Sequence, residues 1–158
     1  MQSTDFSEIN IAFIGDGGVG KTSYIKRITQ NIFEERYINT IGCVKYHIQG
    51  KKNSFNIFDF AGQEKYGCNL NVGIDFYIIF FDLNNKLSFK NCDTWFNKIK
   101  EQNSEAKIIL VATKCDLNRK INKSTIQKYI IKRKIPKYIE ISTKSCYNYD
   151  KLFQYLDN

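Results

Sequence analysis

Apolar and polar positions along the chain follow two alternating patterns. Runs rich in β-branched and aromatic residues, bounded by turn-forming residues, predict strands. Between them, apolar residues recur about every three to four positions, which predicts amphipathic helices. The predicted strands are Ile9–Gly15, Cys43–Gln49, Ser54–Phe60, Asp75–Leu83, Lys107–Thr113 and Lys137–Ser142. The predicted helices are Lys21–Gln30, Lys86–Gln102, Ser124–Lys134 and Tyr149–Leu156, the third capped by Ser124.

Two of the predicted strands, FYIIFFDL from Phe76 and KIILVAT from Lys107, are almost wholly apolar. Such strands are typical of a parallel sheet that helices cover on both faces. The residues GKKN (Gly50–Asn53) separate the second and third strands, which predicts a hairpin turn and one antiparallel edge strand. We therefore expect a three-layer α/β fold with a six-stranded, mostly parallel sheet. The 158 residues contain one proline and no low-complexity tract, so we expect a single domain over residues 1–158.

Ligands of such a sheet bind at the carboxyl ends of its strands. Four polar segments stand at predicted strand ends: GDGGVGKTS after the first strand, DFAGQE at the third, TKCD at the fifth and STKS at the sixth. Because the carboxyl ends of parallel strands meet at one edge, we expect these four segments to form one site.

The first segment fits the phosphate-loop pattern G-x-x-x-x-G-K-[ST]. Glycines let successive N–H groups turn toward phosphate oxygens, and the helix that begins at Lys21 adds the positive end of its dipole. Lys21 can reach the β- and γ-phosphates, and the Thr22 hydroxyl can bind Mg²⁺. Alone, the loop predicts a phosphate site for any nucleoside triphosphate. The predicted nucleotide contacts come from Asp16, Gly17, Gly18, Val19, Gly20, Lys21, Thr22 and Ser23.

The segment DFAGQE carries groups suited to Mg²⁺-dependent hydrolysis. Asp59 can hold Mg²⁺ through water, and Gly62 has no side chain to block its N–H from a γ-phosphate. Gln63 can orient an attacking water, so we predict Gln63, Lys21 and Gly62 as the catalytic set. Thr40, in the polar stretch before the second strand, can complete the Mg²⁺ coordination when a γ-phosphate is present. The segment therefore predicts a loop that senses the nucleotide.

The last two segments indicate a guanine base. The Asp116 carboxylate matches the N1–H and N2–H₂ donors of guanine, whereas adenine presents an acceptor at N1. The Lys114 stem can lie over the base or the loop backbone. An N–H of the STKS segment can donate to guanine O6, although that segment also suits an ordinary helix cap. Phe33 can either cover the purine or pack in the core. The predicted base-binding residues are Phe33, Thr113, Lys114, Asp116, Ser142, Thr143 and Lys144.

The net charge of +8 is concentrated between Asn118 and Ile139, where eight cations and no acid occur. This basic stretch fits a solvated helix face as well as a patch for an acidic partner, and no recognition motif favours nucleic acid. Five scattered cysteines without a C-x-x-C pair argue against a disulfide framework or a zinc site and favour a reducing, intracellular compartment. The sequence carries no signal for membrane insertion or lipidation, so we expect no membrane anchor.

In order, GDGGVGKTS, FEERYINTIG, DFAGQEKYG, TKCD and STKS resemble the five nucleotide motifs of the Ras superfamily of small GTPases. Within it the chain is most similar to the Ran family, in GDGG-GKT, NIFDFAGQEKYG, SFKN…W and STKSCYNYDK. The resemblance spans residues 9–156 and implies a P-loop NTPase G domain. It implies that Thr22, Thr40 and Asp59 hold Mg²⁺ with GTP or GDP. GTP hydrolysis would be slow without an activating protein.

The resemblance also implies a monomer of the nucleus and cytoplasm that acts in nucleocytoplasmic transport. Its partners would be an exchange factor, a GTPase-activating protein and importin- or exportin-type effectors.

Four departures from the Ran pattern suggest an alternative function. Thr113 stands where the family has Asn, which we expect to weaken nucleotide binding, and Phe60 replaces the usual Thr. The segment from Tyr66 to Phe76 is about three residues shorter than the family pattern, and the acidic tail of Ran is missing. The alternative is a non-hydrolysing small-GTPase-fold interaction module with weakened nucleotide binding.

Overall fold

A computed structural model describes residues 6–35, 42–62 and 73–158. In chain order its elements are β1 (Ser7–Ile14), α1 (Lys21–Gln30), β2 (Cys43–Gln49), β3 (Asn53–Phe60), β4 (Phe76–Asp82), α2 (Lys86–Gln102), β5 (Lys107–Thr113), α3 (Lys123–Arg133), β6 (Lys137–Glu140) and α4 (Lys151–Leu156). The strands form one six-stranded sheet in the order β2-β3-β1-β4-β5-β6. Among these described strands only β2 and β3 pair antiparallel, so the predicted mostly parallel α/β architecture is confirmed.

Two hydrophobic cores lie on opposite faces of the sheet. On one face, Tyr24 and Ile25 of α1 and Leu152 of α4 pack against inward residues of the strands. On the other face, Trp95 of α2 and Ile126 of α3 are buried. The central strands contribute alternate side chains to the two faces, which is why β4 and β5 read as continuous apolar runs.

The register of the sheet brings the strand ends together. Phe13 pairs with Asp59 across β1 and β3, and Asp82 pairs with Thr113 across β4 and β5. The carboxyl ends of these strands therefore face the same edge, where the predicted site should lie.

The hairpin between β2 and β3 is confirmed, and it is fastened to the last helix. The Gly50 N–H donates to the Asn53 carbonyl at 2.8 Å. The backbone N–H groups of Lys51, Lys52 and Asn53 donate to the Asp157 carboxylate at 2.7, 3.1 and 2.8 Å. A carboxylate just beyond α4 thus holds the turn.

The predicted boundaries of β1, β3, β4, α3, β6 and α4 are wrong by one or two residues. Three of these differences concern α3, β6 and α4. The third helix begins one residue earlier, with Asn122 at the N-cap position, and Ser124 lies exposed inside its first turn. β6 ends at Glu140 because Ser142 leaves the ladder and forms a bridge with Tyr147. α4 begins at Lys151 instead of Tyr149, because left-handed φ angles of 62° at Cys146 and 53° at Asn148 turn the chain before the helix.

The basic stretch is partly neutralised by acids outside it. Arg119 pairs with Glu140 at 2.5 Å and Arg133 with Asp93 at 2.5 Å. Lysines of α3, including Lys128 and Lys132, are exposed. In the described part of the chain, no helix has both the length and the hydropathy to cross a membrane.

Candidate functional site

The loop between β1 and α1 has the backbone that a phosphate cradle needs. Gly15 has φ 145°, and a Cβ there would lie 2.4 Å from the Phe80 carbonyl oxygen, so the loop must leave β1 through a glycine. Gly20 stands at the N-cap of α1 with φ 98° and has no side chain to cap the helix. The start of α1 is therefore not capped by a side chain, and the positive end of its dipole suits an anion.

Lys21 supplies a buried positive charge to this loop. Its side chain is 6% exposed, and its Nζ donates to the carbonyls of Gly15 at 2.7 Å and Asp16 at 2.9 Å. Burial lowers the pKa of the Lys21 ammonium to about 8, against the opposing charges of Asp59 and Asp16. A buried cation of this kind is stabilised when an anion enters the loop.

Thr22 and Asp59 form a pair of oxygen donors beside the loop. The Thr22 hydroxyl donates to Asp59 Oδ2 at 2.5 Å. Asp59 is fully buried, and its Oδ1 has no hydrogen-bond partner among the described residues. Burial raises the pKa of the Asp59 carboxyl, whereas the Thr22 hydrogen bond and the Lys21 charge lower it.

These two residues fit Mg²⁺, which prefers oxygen ligands and keeps several waters. The orphaned Oδ1 is an acceptor without a donor, which a hydrated cation would satisfy. Among the described residues, no group of three or more histidine, cysteine, aspartate or glutamate side chains is placed to hold a metal ion.

Gly62, after β3, lies directly against the phosphate loop. A Cβ at this position would fall 2.1 Å from the Gly17 nitrogen and 2.3 Å from the Asp16 carbonyl carbon. Any side chain here would displace one of the two segments. Gln63 and Thr40, the predicted water-positioning and metal-sensing residues, lie outside the described residues.

Thr113 braces the phosphate loop from the end of β5. The hydroxyl is buried and donates to the Val19 carbonyl at 2.6 Å, with the Phe81 carbonyl at 3.1 Å as a longer alternative. The sequence led us to expect weakened support at this position. The Thr113 hydroxyl thus links the end of β5 to the phosphate loop, and its effect on nucleotide affinity stays a prediction.

Lys114 makes a second tether. Its backbone is left-handed, with φ 58°, and its Nζ donates to the Gly18 carbonyl at 2.9 Å. The same ammonium pairs with Asp82 Oδ2 at 2.8 Å. Sequence reasoning missed Asp82, although an acid at the carboxyl end of an apolar strand was a signal of the kind used for Asp59. Lys114 thus lies over the loop backbone, one of its two predicted positions.

The loops after β5 and β6 are joined at Asp116. The Ser142 hydroxyl donates to Asp116 Oδ1 at 2.7 Å and accepts the Ser145 N–H at 3.1 Å. The Cys115 N–H donates to the Ile141 carbonyl at 3.1 Å. Ser142 therefore orients the carboxylate that we predict to read the base.

The segment after α1 closes over the same end of the site. Glu35 pairs with Lys144 at 2.6 Å, and the Arg27 guanidinium donates to the Thr143 carbonyl at 3.1 Å. The Arg27 guanidinium carbon also lies 5.7 Å from the centroid of the Phe33 ring. The sequence leaves Phe33 either covering the purine or packing in the core. The Phe33 ring lines the cavity described next, which favours the first interpretation.

One cavity of about 300 Å³ runs between the phosphate loop and the β5 and β6 loops. Of the predicted site residues that the structure describes, four do not line it: Val19 is buried in the core, Ser142 acts behind Asp116, Asp59 lies beneath Thr22, and Asp16 faces α2. The predicted residues that line the cavity are Gly17, Gly18, Gly20, Lys21, Thr22, Ser23, Phe33, Gly62, Thr113, Lys114, Asp116, Thr143 and Lys144.

Comparison with known proteins identifies a family that matches this chain and a similar protein. The model of the Ras family matches residues 10–158. The chain is 36% identical over 157 residues to the GTP-binding nuclear protein GSP1 of Encephalitozoon cuniculi (strain GB-M1). That match covers 92% of this chain and 73% of the relative.

Proposed function

Because the chain belongs to the Ras family, whose members are GTP-binding switches and GTPases, we propose that it binds GTP and GDP with Mg²⁺ and slowly hydrolyses GTP. The observation that carries the proposal is one cavity lined by phosphate-loop residues and by Asp116. This lining suits a nucleotide whose phosphates lie on the loop and whose base reaches the β5 and β6 ends.

At the base end, Asp116 gives the preference for guanine. Ser142 holds one carboxylate oxygen, so the carboxylate is already turned when the base arrives. Guanine offers donors at N1 and N2, whereas adenine presents an acceptor at N1, so a carboxylate that the bound base covers would be poorly paired at a cost of about 1–3 kcal/mol. A fixed acceptor of this kind discriminates more strongly than a flexible one.

At the phosphate end, the residues bind and position groups without forming covalent bonds. Lys21 offsets negative charge on the phosphates, and the Gly62 N–H, close against the loop, can donate to the terminal phosphate. Gln63 would hold the attacking water in line. Thr22, Asp59 and Thr40 would hold Mg²⁺, which withdraws charge from the β- and γ-phosphate oxygens when bound.

The positions of the described arginines support slow hydrolysis of GTP. The three arginines in the described ranges are engaged elsewhere: Arg27 with Thr143, Arg119 with Glu140 and Arg133 with Asp93. None of these three arginines lines the cavity, so none of them offsets charge on the γ-phosphate in the transition state, and an activating protein would supply an arginine there.

We further propose a Ran-like role in nucleocytoplasmic transport, supported by the likeness to a relative called a GTP-binding nuclear protein. In this role residues 1–158 act as one G domain, a monomer of the nucleus and cytoplasm. Its partners are an exchange factor, a GTPase-activating protein and importin- or exportin-type effectors. The alternative is an interaction module with weakened nucleotide binding, and the hydrogen bond from Thr113 to the phosphate loop counts against it.

The test measures binding of fluorescent mant-GDP and mant-GTP with Mg²⁺, followed by single-turnover hydrolysis. We expect saturable binding that excess GDP reverses and ADP does not, and slow hydrolysis that Gln63→Leu abolishes. Binding without hydrolysis would favour the interaction module. No binding at micromolar nucleotide would contradict both the switch and the GTPase.

A further inference from the structure

Asp16 is an acid inside the phosphate loop, but its carboxylate faces α2 instead of the cavity. The Asn91 side-chain amide donates to Asp16 Oδ2 at 2.6 Å, and the Trp95 indole N–H donates to Oδ1 at 2.9 Å. The two donors stand four residues apart on α2, so they lie on one face of the helix. Each carboxylate oxygen therefore has its own donor.

The charge of Asp16 needs such partners because it lies close to the phosphate site. Its own carbonyl accepts the Lys21 ammonium at 2.9 Å, and its carboxylate is among the charges that raise the pKa of Lys21. A carboxylate that turned into the cradle would repel incoming phosphate. Two donors on its far side hold it away from the cavity and offset part of its charge.

The donors are fixed by the core. Trp95 is 6% exposed, and its neighbours Cys92 and Ile99 on α2 are buried with it. Charge-assisted hydrogen bonds from a fixed helix are about twice as strong as those between neutral groups. The helix can therefore hold the loop in place before any nucleotide arrives.

We propose that Asn91 and Trp95 are positioning residues for nucleotide binding. They act through Asp16 to keep the phosphate loop in its binding conformation, and this slows the release of nucleotide. Neither residue lines the cavity, so the effect requires Asp16 as the intermediary. The inference rests on the proposed binding of GTP and GDP.

The main experiment measures the rate at which mant-GDP leaves the protein when unlabelled GDP is in excess. Asn91→Ala and Trp95→Phe each remove one donor, and each should speed release by about tenfold. Asn97→Ala is the matched control, because Asn97 is an exposed asparagine on the same helix. It should release mant-GDP at the wild-type rate. Wild-type release rates in both test variants would overturn the proposal.

A double-mutant cycle separates positioning from general loosening of the helix. If Asn91 acts only through Asp16, then Asp16→Ala with Asn91→Ala should release mant-GDP no faster than Asp16→Ala alone. Rates that multiply in the double variant would show another route and would contradict the proposal.

A spectroscopic readout tests the contact without nucleotide. Trp95 is the only tryptophan of the chain, so its emission reports its own surroundings. Asp16→Ala should shift the emission maximum of the nucleotide-free protein, and Asn97→Ala should not. An unchanged spectrum for Asp16→Ala would refute the contact. Failure of wild type to bind mant-GDP would instead refute the proposed function, so the two failures are distinguishable.

Discussion

Replacing Thr113 by valine removes one hydroxyl and leaves the shape of the side chain almost unchanged. In the wild-type protein this hydroxyl donates to the Val19 carbonyl at 2.6 Å, and both residues are at most 2% exposed. Water cannot easily replace the donor, so the Val19 carbonyl of Thr113→Val is left unsatisfied. A buried acceptor without a partner costs about 1–3 kcal/mol.

Part of this cost falls on the loop that binds phosphate. If the tether holds the loop ready for nucleotide, Thr113→Val should raise the dissociation rate of mant-GDP by ~5- to 50-fold. It should also lower the midpoint of thermal unfolding. Stopped-flow fluorescence measures the first effect and calorimetry measures the second.

Two variants control the experiment. Thr113→Ser keeps the hydroxyl and should stay close to wild type in release rate. Thr125→Val makes the same chemical change at an exposed position of α3 and should alter neither quantity. Wild-type release from Thr113→Val, with only a lower unfolding midpoint, would show that the tether supports the fold and not the nucleotide site. Fast release from Thr113→Ser would refute the role of the hydroxyl.

Three further predictions concern other contacts of the site and the hairpin. Lys114→Met leaves Asp82 with an unpaired charge and should lower the free energy of unfolding by about 1–3 kcal/mol in urea titrations, and adding Asp82→Asn should recover part of the loss. Asp116→Asn should weaken GDP at least about tenfold and favour xanthosine diphosphate, whose C2 carbonyl accepts from the new amide, in equilibrium fluorescence competition. Burial raises the pKa of the Asp157 carboxyl, but the backbone N–H groups that hold it lower the pKa below its usual value overall. The unfolded chain then binds more protons in acid, so stability from Asp157 is present above about pH 4 and is lost as the pH falls below it. The unfolding midpoints of wild type and Asp157→Asn should accordingly differ at pH 7 and converge near pH 3, and an equal difference at both pH values would contradict this role.

The strands and helices could be predicted because each carries a strong periodic pattern. The predicted boundaries are wrong where the type of residue gives no signal of the backbone geometry. Left-handed φ angles occur at Cys146 and Asn148 and delay α4 until Lys151, but a cysteine gives no warning of such a turn. Ser124 is a good capping residue, but it does not occupy the N-cap position because α3 begins at Lys123 and Asn122 is the N-cap.

The candidate site could be predicted as far as its motifs reach. Most of the described residues that the short motifs specify line the cavity, whereas Asp16, Val19, Asp59 and Ser142 do not. The residues that hold the motif residues in place could not be predicted from the sequence in the same way. Asp82 pairs with Lys114 across 32 positions of the chain, and Trp95 reaches Asp16 across 79. Such pairs depend on how β4 and α2 pack, which residue spacing along the chain does not encode.

These supports share one target. Thr113 holds the Val19 carbonyl, Lys114 holds the Gly18 carbonyl, and α2 holds the Asp16 side chain. Three residues of the phosphate loop are thus tied to two parts of the core, the carboxyl end of β5 and α2. A loop held by one tether would swing about it, whereas a loop held at three points keeps its N–H groups aimed without nucleotide. The ordering cost is then paid during folding, so that binding energy is retained for the phosphates.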